Sequence, residues 1–302
     1  MNSNRKAYFF AGLSVLFWST VATSFKLALR EYDFIQLIFF ASVVTTVLLF
    51  IILLIQKKTH FIFRQTRQQW LYSLLMGILN PISYYLVLFK AYSLLPAQVA
   101  QPLNMVWPIT LALLSVLLLR QKISWISFIA LIISFTGVFF ISSQGGLSGF
   151  RNTNPFGAFL AVGSSLLWSL YWIFNVRDKR DEVVKLFLNF VLGTIYLLPI
   201  VFLFSSFHIK PGISFAAVIH TGIFEVGITY VFWLKAMNLT SNNAKIGNVA
   251  FFTPFLSLIF IHFVLKETIF VTTFIGLIFI ILGVLVQQFD QRRLRKPTPA
   301  QK

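Results

Sequence analysis

The chain has 302 residues, of which 58% are hydrophobic, 17% aromatic and only 11% charged. In soluble domains about a quarter of the residues are charged, and one globular core cannot bury this much apolar sequence. The 36 phenylalanines exclude a disordered chain, and the absence of cysteine excludes disulfides and thiol chemistry. The composition therefore predicts an all-α membrane protein, because a helix satisfies its own backbone hydrogen bonds in lipid.

The formal net charge of +17 would suit a nucleic-acid-binding protein. The basic residues, however, lie in short clusters separated by apolar stretches of about 20 residues, which is the length that crosses a bilayer. We therefore expect the lipid bilayer as a partner and no nucleic acid. The first apolar stretch is too long for the core of a signal peptide, and no small-residue cleavage site follows it.

Ten apolar stretches are predicted to be transmembrane helices. They are 7–29, 34–55, 70–89, 97–119, 124–142, 156–176, 183–204, 214–236, 246–265 and 268–287. With an even number of helices, both termini lie on the same side of the membrane. That side holds 19 of the 25 Lys and Arg residues, and cytoplasmic loops are the ones enriched in these residues.

The charge distribution therefore predicts cytoplasmic termini in a multi-pass protein of a bacterial-type cytoplasmic (inner) membrane. The basic tail 288–302 is inside, and the glycine-containing loop 143–155 is outside. Aromatic side chains often mark the membrane interface. Those that fall at predicted cytoplasmic helix ends are Tyr8, Trp70, Trp125 and Trp233.

An internal repeat divides the chain. Five of 15 positions are identical between 77–91 and 222–236, among them Gly77 with Gly222, Tyr85 with Tyr230 and Lys90 with Lys235. Trp18-Ser19 matches Trp168-Ser169 at a separate shift of 150. We infer two five-helix repeats, 7–141 and 157–287. Because five is odd, the repeats are inverted, which is an arrangement that transporters use for alternating access.

The same residues resemble a known family. The motifs are Trp18-Ser19 in the first helix, Tyr85-x4-Lys90-Ala91, the prolines Pro108 and Pro254, Leu265-Lys266-Glu267, and the closing pairs Gly137-Val138 and Gly283-Val284. Together they resemble the EamA family of the drug/metabolite transporter superfamily. The resemblance implies ten helices in paired repeats and export of small solutes. Arg120-Gln121-Lys122 departs from it, because the family often has an acidic residue there, and we interpret this as a local change in helix capping or loop pairing.

Glu225 is predicted to lie midway along the eighth helix, and its repeat partner is Asn80. Polar groups inside the membrane are costly and are therefore functional candidates. We interpret Glu225 as a proton-coupling or cation-binding group, with a structural, hydrogen-bonded glutamate as the alternative. Asn80 shares a helical face with Gly77 and Tyr84, so Asn80 and Tyr84 are candidate substrate-binding residues.

The remaining candidate substrate-binding residues are polar or aromatic side chains inside other spans. They are Trp18, Ser19, Gln101, Asn104, Trp107, Trp168 and Asn248. Pro108 has no N–H group, so a backbone carbonyl one turn earlier has no helical hydrogen-bond partner. One interpretation is a polar pocket with aromatic walls. The other is a proline kink whose carbonyl is hydrogen-bonded by a nearby side chain, with the tryptophans as buried packing residues. Lys26, Lys90 and Lys235 lie near helix ends and are expected to anchor at the interface.

No metal site and no cofactor are predicted, since His220 and His262 have no further ligands at helical spacing. No nucleotide-binding motif appears, so an ion or solute gradient would drive transport. The sequence thus predicts a secondary transporter, not an enzyme, that exports an amino acid or related metabolite, with drug export included. The alternatives are a flippase for lipid-linked substrates and, from another class, an integral membrane enzyme. The expected partners are a small-molecule solute and the bilayer, and a homodimer is left open.

Overall fold

The computed structural model describes residues 3–119, 125–146, 149, 151, 153–239 and 249–295, and every regular element in those ranges is helical. The first half contains eight α-helices. They are α1 Ser3–Ala28, α2 Phe34–Ile55, α3 His60–Phe63, α4 Arg67–Gly77, α5 Tyr84–Leu94, α6 Ala97–Asn104, α7 Trp107–Leu119 and α8 Trp125–Ser142. The segment Ile78–Ser83 joins α4 to α5 through a kink, at which Asn80 has extended backbone angles and the Asn80–Pro81 peptide bond is cis.

The described residues of the second half form six further α-helices. They are α9 Pro155–Arg177, α10 Glu182–Phe204, α11 Ile213–Thr221, α12 Ile228–Leu239, α13 Thr253–Phe260 and α14 Val271–Arg295. The π-helical segment Gly222–Gly227 joins α11 to α12, so the corresponding helix of each half is irregular near its middle, by a kink in the first half and by a π segment in the second. A 3₁₀ turn, Ala250–Phe252, precedes α13, and the π-helical segment Ile261–Leu265 follows it.

Seven helices in the described part of the chain are long and apolar enough to cross a membrane. They are Ser3–Ala28, Phe34–Ile55, Arg67–Leu94, Pro155–Asn175, Glu182–Phe204, Ile213–Met237 and Val271–Phe289. Shorter apolar helices occupy Phe128–Ser142 and Ala250–Leu265. The predicted span 97–119 corresponds to α6 and α7, which are interrupted at Met105 and Val106. The chain is thus an all-helical membrane protein, while ten spans stay a prediction.

The surface supports this conclusion. Large apolar side chains such as Ile55, Phe202 and Phe204 are each at least 74% exposed. In water, so many exposed apolar groups would favour association, whereas lipid solvates them. The helix ends instead carry polar caps. Asp33 accepts hydrogen bonds from the Ile35 and Gln36 backbone at the start of α2, and the Asp181 carboxylate caps α10 in the same way.

The helices pack in a regular set of pairs. Helices of the first half pack against helices of the second: α1 packs against α11, α12 and α13, and α2 packs against α10. In the second half, α9 packs against α5, α6 and α7. The last helix of each half, α8 and α14, form the most extensive helix pair.

Glycine allows a close approach of the helices in two pairs, α8 with α14 and α4 with α10. A Cβ atom on Gly137 of α8 would lie 2.4 Å from the Gly276 carbonyl oxygen, and one on Gly276 would lie 2.5 Å from the Gly137 oxygen. A Cβ atom on Gly77 of α4 would lie 2.8 Å from the Asn189 oxygen of α10. Small residues let helix backbones approach closely in membranes, and a larger residue at these positions would push the helices apart.

Candidate functional site

A cavity of about 390 Å³ lies among helices from both halves of the chain. Its walls come from α1, α5, α6, α7, α9, α12, α13 and α14, together with the π segment Gly222–Gly227. The volume is typical of small-molecule sites, which range from about 300 to 1,000 Å³. The cavity is therefore the candidate site for a solute.

Glu225 supplies the charge of this site. It lies on the π segment between α11 and α12, and it is the one charged side chain among the described residues that line the cavity. The Tyr85 hydroxyl donates to Glu225 Oε1 at 3.1 Å, and the Trp18 indole N–H donates to the Glu225 backbone oxygen at 3.0 Å. π segments inside helices are frequent at functional sites because the irregular turn alters side-chain direction.

Tryptophan dominates the walls. Five of the seven tryptophans line the cavity, namely Trp18, Trp107, Trp168, Trp172 and Trp233. The ring centroids of Trp18 and Trp233 are 5.2 Å apart, and those of Trp168 and Trp172 are 5.9 Å apart. The buried ring of Tyr230 lies between the two pairs, 6.1 Å from Trp18 and 6.0 Å from Trp172. Such distances are those of interacting aromatic rings, so the wall is one connected aromatic cluster.

A polar strip on α6 faces the same cavity. The Asn104 amide donates to Ser164 Oγ at 2.8 Å, and the Tyr84 hydroxyl makes a long contact of 3.5 Å with Asn104 Oδ1. Gln101, one turn earlier, is only 4% exposed, and its Oε1 has no described hydrogen-bond partner. A buried acceptor without a donor is costly, and a solute with an N–H or O–H group would satisfy it.

Beyond one end of the cavity, charged side chains hold helix ends together. Lys26 Nζ donates to the Tyr92 oxygen at 2.9 Å and to the Leu95 oxygen at 3.0 Å, so Lys26 caps the end of α5. The Glu267 carboxylate accepts from the Ala97 N–H at 2.9 Å and the Gln98 N–H at 3.2 Å, so Glu267 caps the start of α6. The α5–α6 junction is thereby fixed to α1 and to the segment before α14.

The ammonium group of Lys26 thus bonds carbonyls at the end of the apolar helix Arg67–Leu94, and its location at the membrane interface stays a prediction. The other end of the cavity has no comparable contacts among the described residues. Its lining continues to Trp233, Ala250 and Gln288. The cavity therefore extends toward the side on which α14 ends.

The structure brings most of the candidate residues together. Those that line the cavity are Trp18, Tyr84, Gln101, Asn104, Trp107, Trp168 and Glu225. Ser19 does not, because its hydroxyl donates to the Leu16 oxygen of its own helix at 2.6 Å. Asn80 is 1% exposed and lies outside the lining, at the kink that precedes α5. Asn248 lies outside the described residues.

The sequence interpretation missed some lining residues. Trp233 was expected at the membrane interface, yet it lines the cavity beside Trp18. Two signals could have found these residues. Trp172 follows Trp168 by one helical turn and so shares its face, and Trp233 is the repeat equivalent of Leu88, which also lines the cavity.

The histidines have ordinary partners. The His220 ring lies 2.8 Å from Ser24 Oγ and 3.3 Å from Thr20 Oγ1, and so links α11 to α1. His262 Nδ1 lies 3.0 Å from the Glu267 oxygen. In the described parts of the chain, no three metal-ligating side chains come together. Lys235 lies 4.5 Å above the Phe10 ring, as a cation–π contact.

Comparison with known proteins agrees with this architecture. The family model of the EamA-like transporter family matches residues 5–143 and 155–287. An uncharacterized transporter from Archaeoglobus fulgidus is 24% identical over 297 residues, covering 96% of this chain and 100% of the relative. An uncharacterized transporter from Clostridium kluyveri is 26% identical and covers 96% and 95% of the two chains.

A solved crystal structure that is 20% identical in sequence has a TM-score of 0.65 and covers 96% of this chain and 99% of the other. At that identity, the likeness concerns the fold alone. The two stretches matched by the family model span most of the chain, and the relatives match nearly end to end. The chain therefore belongs to the EamA-like transporter family of the drug/metabolite superfamily and is a multi-pass membrane transporter.

Proposed function

We propose that this chain is a secondary transporter that exports a small organic solute across the cytoplasmic membrane by alternating access, in exchange for protons that Glu225 carries. The observation that carries the proposal is Glu225 itself, a lone carboxylate on the wall of a cavity built from both halves of the chain. Amino acids and related metabolites, drugs included, are of the size that the cavity holds.

The packing supports a molecule of two inverted five-helix repeats, 7–141 and 157–287. Exchanging the two repeats replaces each helix by its equivalent in the other half. The packing of α1 against α11 and α12 then becomes the packing of α9 against the helix α4–α5, and the pairs α2–α10 and α8–α14 are unchanged. The glycine contacts obey the same exchange. Gly137 meets Gly276, and its repeat equivalent Gly283 meets Ala130, which is the equivalent of Gly276. The two stretches matched by the family model support the same division, with 144–154 between them.

The contacts of Lys26 and Glu267 support alternating access. In the orientation favoured by the Lys and Arg distribution, these residues lie at the outer end, and in the proposed mechanism they hold that end closed to the outside. Export requires a second conformation with the opposite end closed. Inverted repeats supply one, because each repeat can adopt the conformation of the other.

A pair of tyrosines supports the same exchange. Tyr85 donates to Glu225 across the two repeats at 3.1 Å. Their repeat equivalents are Tyr230 and Asn80, and both the Tyr230 hydroxyl and Asn80 Oδ1 are buried without a described partner. In the proposed second conformation, Tyr230 donates to Asn80, and the Tyr85–Glu225 bond is broken. In each conformation, one of the two pairs is then hydrogen-bonded, and the other pair has the free-energy cost of buried groups without a partner.

Glu225 suits proton exchange because the two conformations would solvate it differently. In a closed, dry cavity, a negative charge is disfavoured, and the carboxyl group holds a proton. When water enters from the cytoplasm, the charged form is favoured and the proton leaves. An inward proton gradient would therefore drive solute outward.

The test uses the full chain in liposomes that contain a pH-sensitive dye. Solutes from a panel of amino acids, amines and aromatic metabolites are added under an imposed pH gradient, and proton flux is recorded. For an active solute, Glu225→Gln should abolish the response to the pH gradient but keep exchange of labelled for unlabelled solute, because glutamine cannot ionise.

The matched control is Glu31→Gln, the same change in the exposed turn between α1 and α2, which should behave as the parent. A Glu225→Gln variant that responds to the pH gradient as the parent does would show that Glu225 is structural. A panel without any flux in the parent would reject the exporter itself.

A further inference from the structure

We propose that the cavity selects a monovalent organic cation with an apolar body, held between the Glu225 carboxylate and the faces of tryptophan rings. The proposal rests on the transport function above, because it names the solute class of the same cavity. The class was not evident from the sequence, which carries 25 Lys and Arg residues against 8 Asp and Glu.

The sign of the charge follows from the lining. Among the described lining residues, Glu225 is acidic and no Lys, Arg or His is present. Lys26, the cation beyond the closed end, has its ammonium group on the Tyr92 and Leu95 carbonyls. The carboxylate of an anion or a zwitterion would be desolvated without a cationic partner there, which is costly. A cation would find a partner in Glu225.

The ring faces favour the same charge. A cation within about 6 Å of a tryptophan ring centroid is attracted by the negative face of the ring, and tryptophan is the strongest of the aromatic residues in this respect. The lining tryptophans come from α1, α7, α9 and α12, so their rings surround the cavity from several sides. Neutral apolar walls of Leu or Ile would hold the body of a solute equally well but would not select its charge.

The Glu225 carboxylate also has a free acceptor. Within the described residues, Tyr85 alone donates to the Glu225 carboxylate, through Oε1, so Oε2 is left for a ligand. A free carboxylate oxygen suits a ligand that brings N–H donors, such as a protonated amine.

The first experiment compares four ligands that share a phenyl ring on a two-carbon arm. They are 2-phenylethylammonium, zwitterionic phenylalanine, neutral 2-phenylethanol and anionic 3-phenylpropanoate. Binding to the purified full chain is measured by calorimetry at neutral pH. The cation should bind at least about ten-fold more tightly than the other three. Equal or tighter binding of phenylalanine or 2-phenylethanol would overturn the proposal without any variant.

The second experiment separates the carboxylate from the rings. Glu225→Gln should weaken binding of the cation about ten-fold and change binding of 2-phenylethanol less than about two-fold, while Glu31→Gln alters neither. Expression with 5-fluorotryptophan weakens the negative ring faces at nearly constant shape, so it should lower the affinity for the cation several-fold and spare 2-phenylethanol. Cation affinity that is unchanged by both treatments would contradict the proposed contacts.

These measurements need no flux and no pH gradient, so their failure is distinct from failure of the transport proposal. If the panel contains a transported solute that is neutral or zwitterionic, the exporter stands and the cation class falls. If the cation binds as expected but Glu225→Gln keeps its response to the pH gradient, the class stands and proton coupling falls.

Discussion

The turn between α9 and α10 and the cavity use charge in opposite ways. In the turn, Arg180 pairs with Asp178 at 2.6 Å and also donates to Ser73 Oγ at 2.9 Å and Gln65 Oε1 at 3.0 Å. Asp181 pairs with Lys58 at 2.6 Å. In the cavity, Glu225 has a single donor and no basic side chain among the described lining residues. Buried charges that are fully paired hold helices in place, whereas an unpaired one is available for chemistry.

The pH response of the turn follows from that pairing. Burial alone would raise the pKa of Asp178, but the hydrogen bonds and charge of Arg180 lower it below its ordinary value. The same competition, with Lys58 and two backbone N–H groups as the donors, lowers the pKa of Asp181. A lowered pKa contributes stability that is present above the unfolded-state value of about 3.9 and is lost as the pH falls through the folded-state value. The turn should therefore stay paired at every pH at which transport is assayed.

Among the tests of this comparison, the largest expected effect is a loss of stability when the ion pair in the turn is broken. Arg180→Leu would leave the Asp178 carboxylate, which is 8% exposed, without its partner. Removing one partner of a buried pair costs about 3–5 kcal/mol. Thermal unfolding in detergent should show a marked loss of stability, while Lys179→Leu, at the exposed neighbouring position, should unfold close to the parent. Equal unfolding temperatures for the two variants would mean that the pair is not structural.

The next effect concerns the cavity and should appear in conformation more than in stability. Tyr85→Phe removes the donor to Glu225 and should favour the outward-open conformation, whereas Tyr230→Phe should disfavour it. A hydrogen bond of about 1 kcal/mol shifts a two-state population roughly five-fold. Because the chain lacks cysteine, Val21→Cys on the cavity wall can report this through labelling with an impermeant reagent outside intact cells. Labelling that moves in the same direction in both variants would reject the exchange.

The smallest effect is expected at the closed end. Glu267→Gln keeps one of the two oxygens that accept from the Ala97 and Gln98 N–H groups, and it loses the other acceptor and the negative charge at the start of α6. Charges at helix N-termini contribute about 0.3–1 kcal/mol, so labelling of Val21→Cys from outside should rise about two- to five-fold. Glu31→Gln serves again as the control. Unchanged labelling would show that Glu267 caps α6 without holding the outer end closed.

Hydropathy and charge were sufficient for the coarse outcome. Runs of apolar residues predicted an all-helical membrane chain, and doubled motifs such as Gly77 with Gly222 indicated the family that the comparison then confirmed. Pro108 and the face shared by Gln101 and Asn104 also pointed to a cavity wall on α6 and α7, where these residues lie. These features are encoded by spacing along one chain, which is why a linear reading can find them.

What depended on neighbours across helices could not be predicted. Three residues were assigned by their position along their own helix. They are Trp233 at a predicted helix end, Ser19 beside Trp18, and Lys26 near the membrane surface. Their surroundings are decided by partners far away in sequence, such as Trp18 for Trp233 and the Tyr92 and Leu95 carbonyls for Lys26. The sequence by itself determined the helical membrane fold, the repeated motifs and the family. Only the tertiary structure decided which aromatic residues share the cavity with Glu225 and which helix ends Lys26 and Glu267 hold together, because these depend on how helix faces meet.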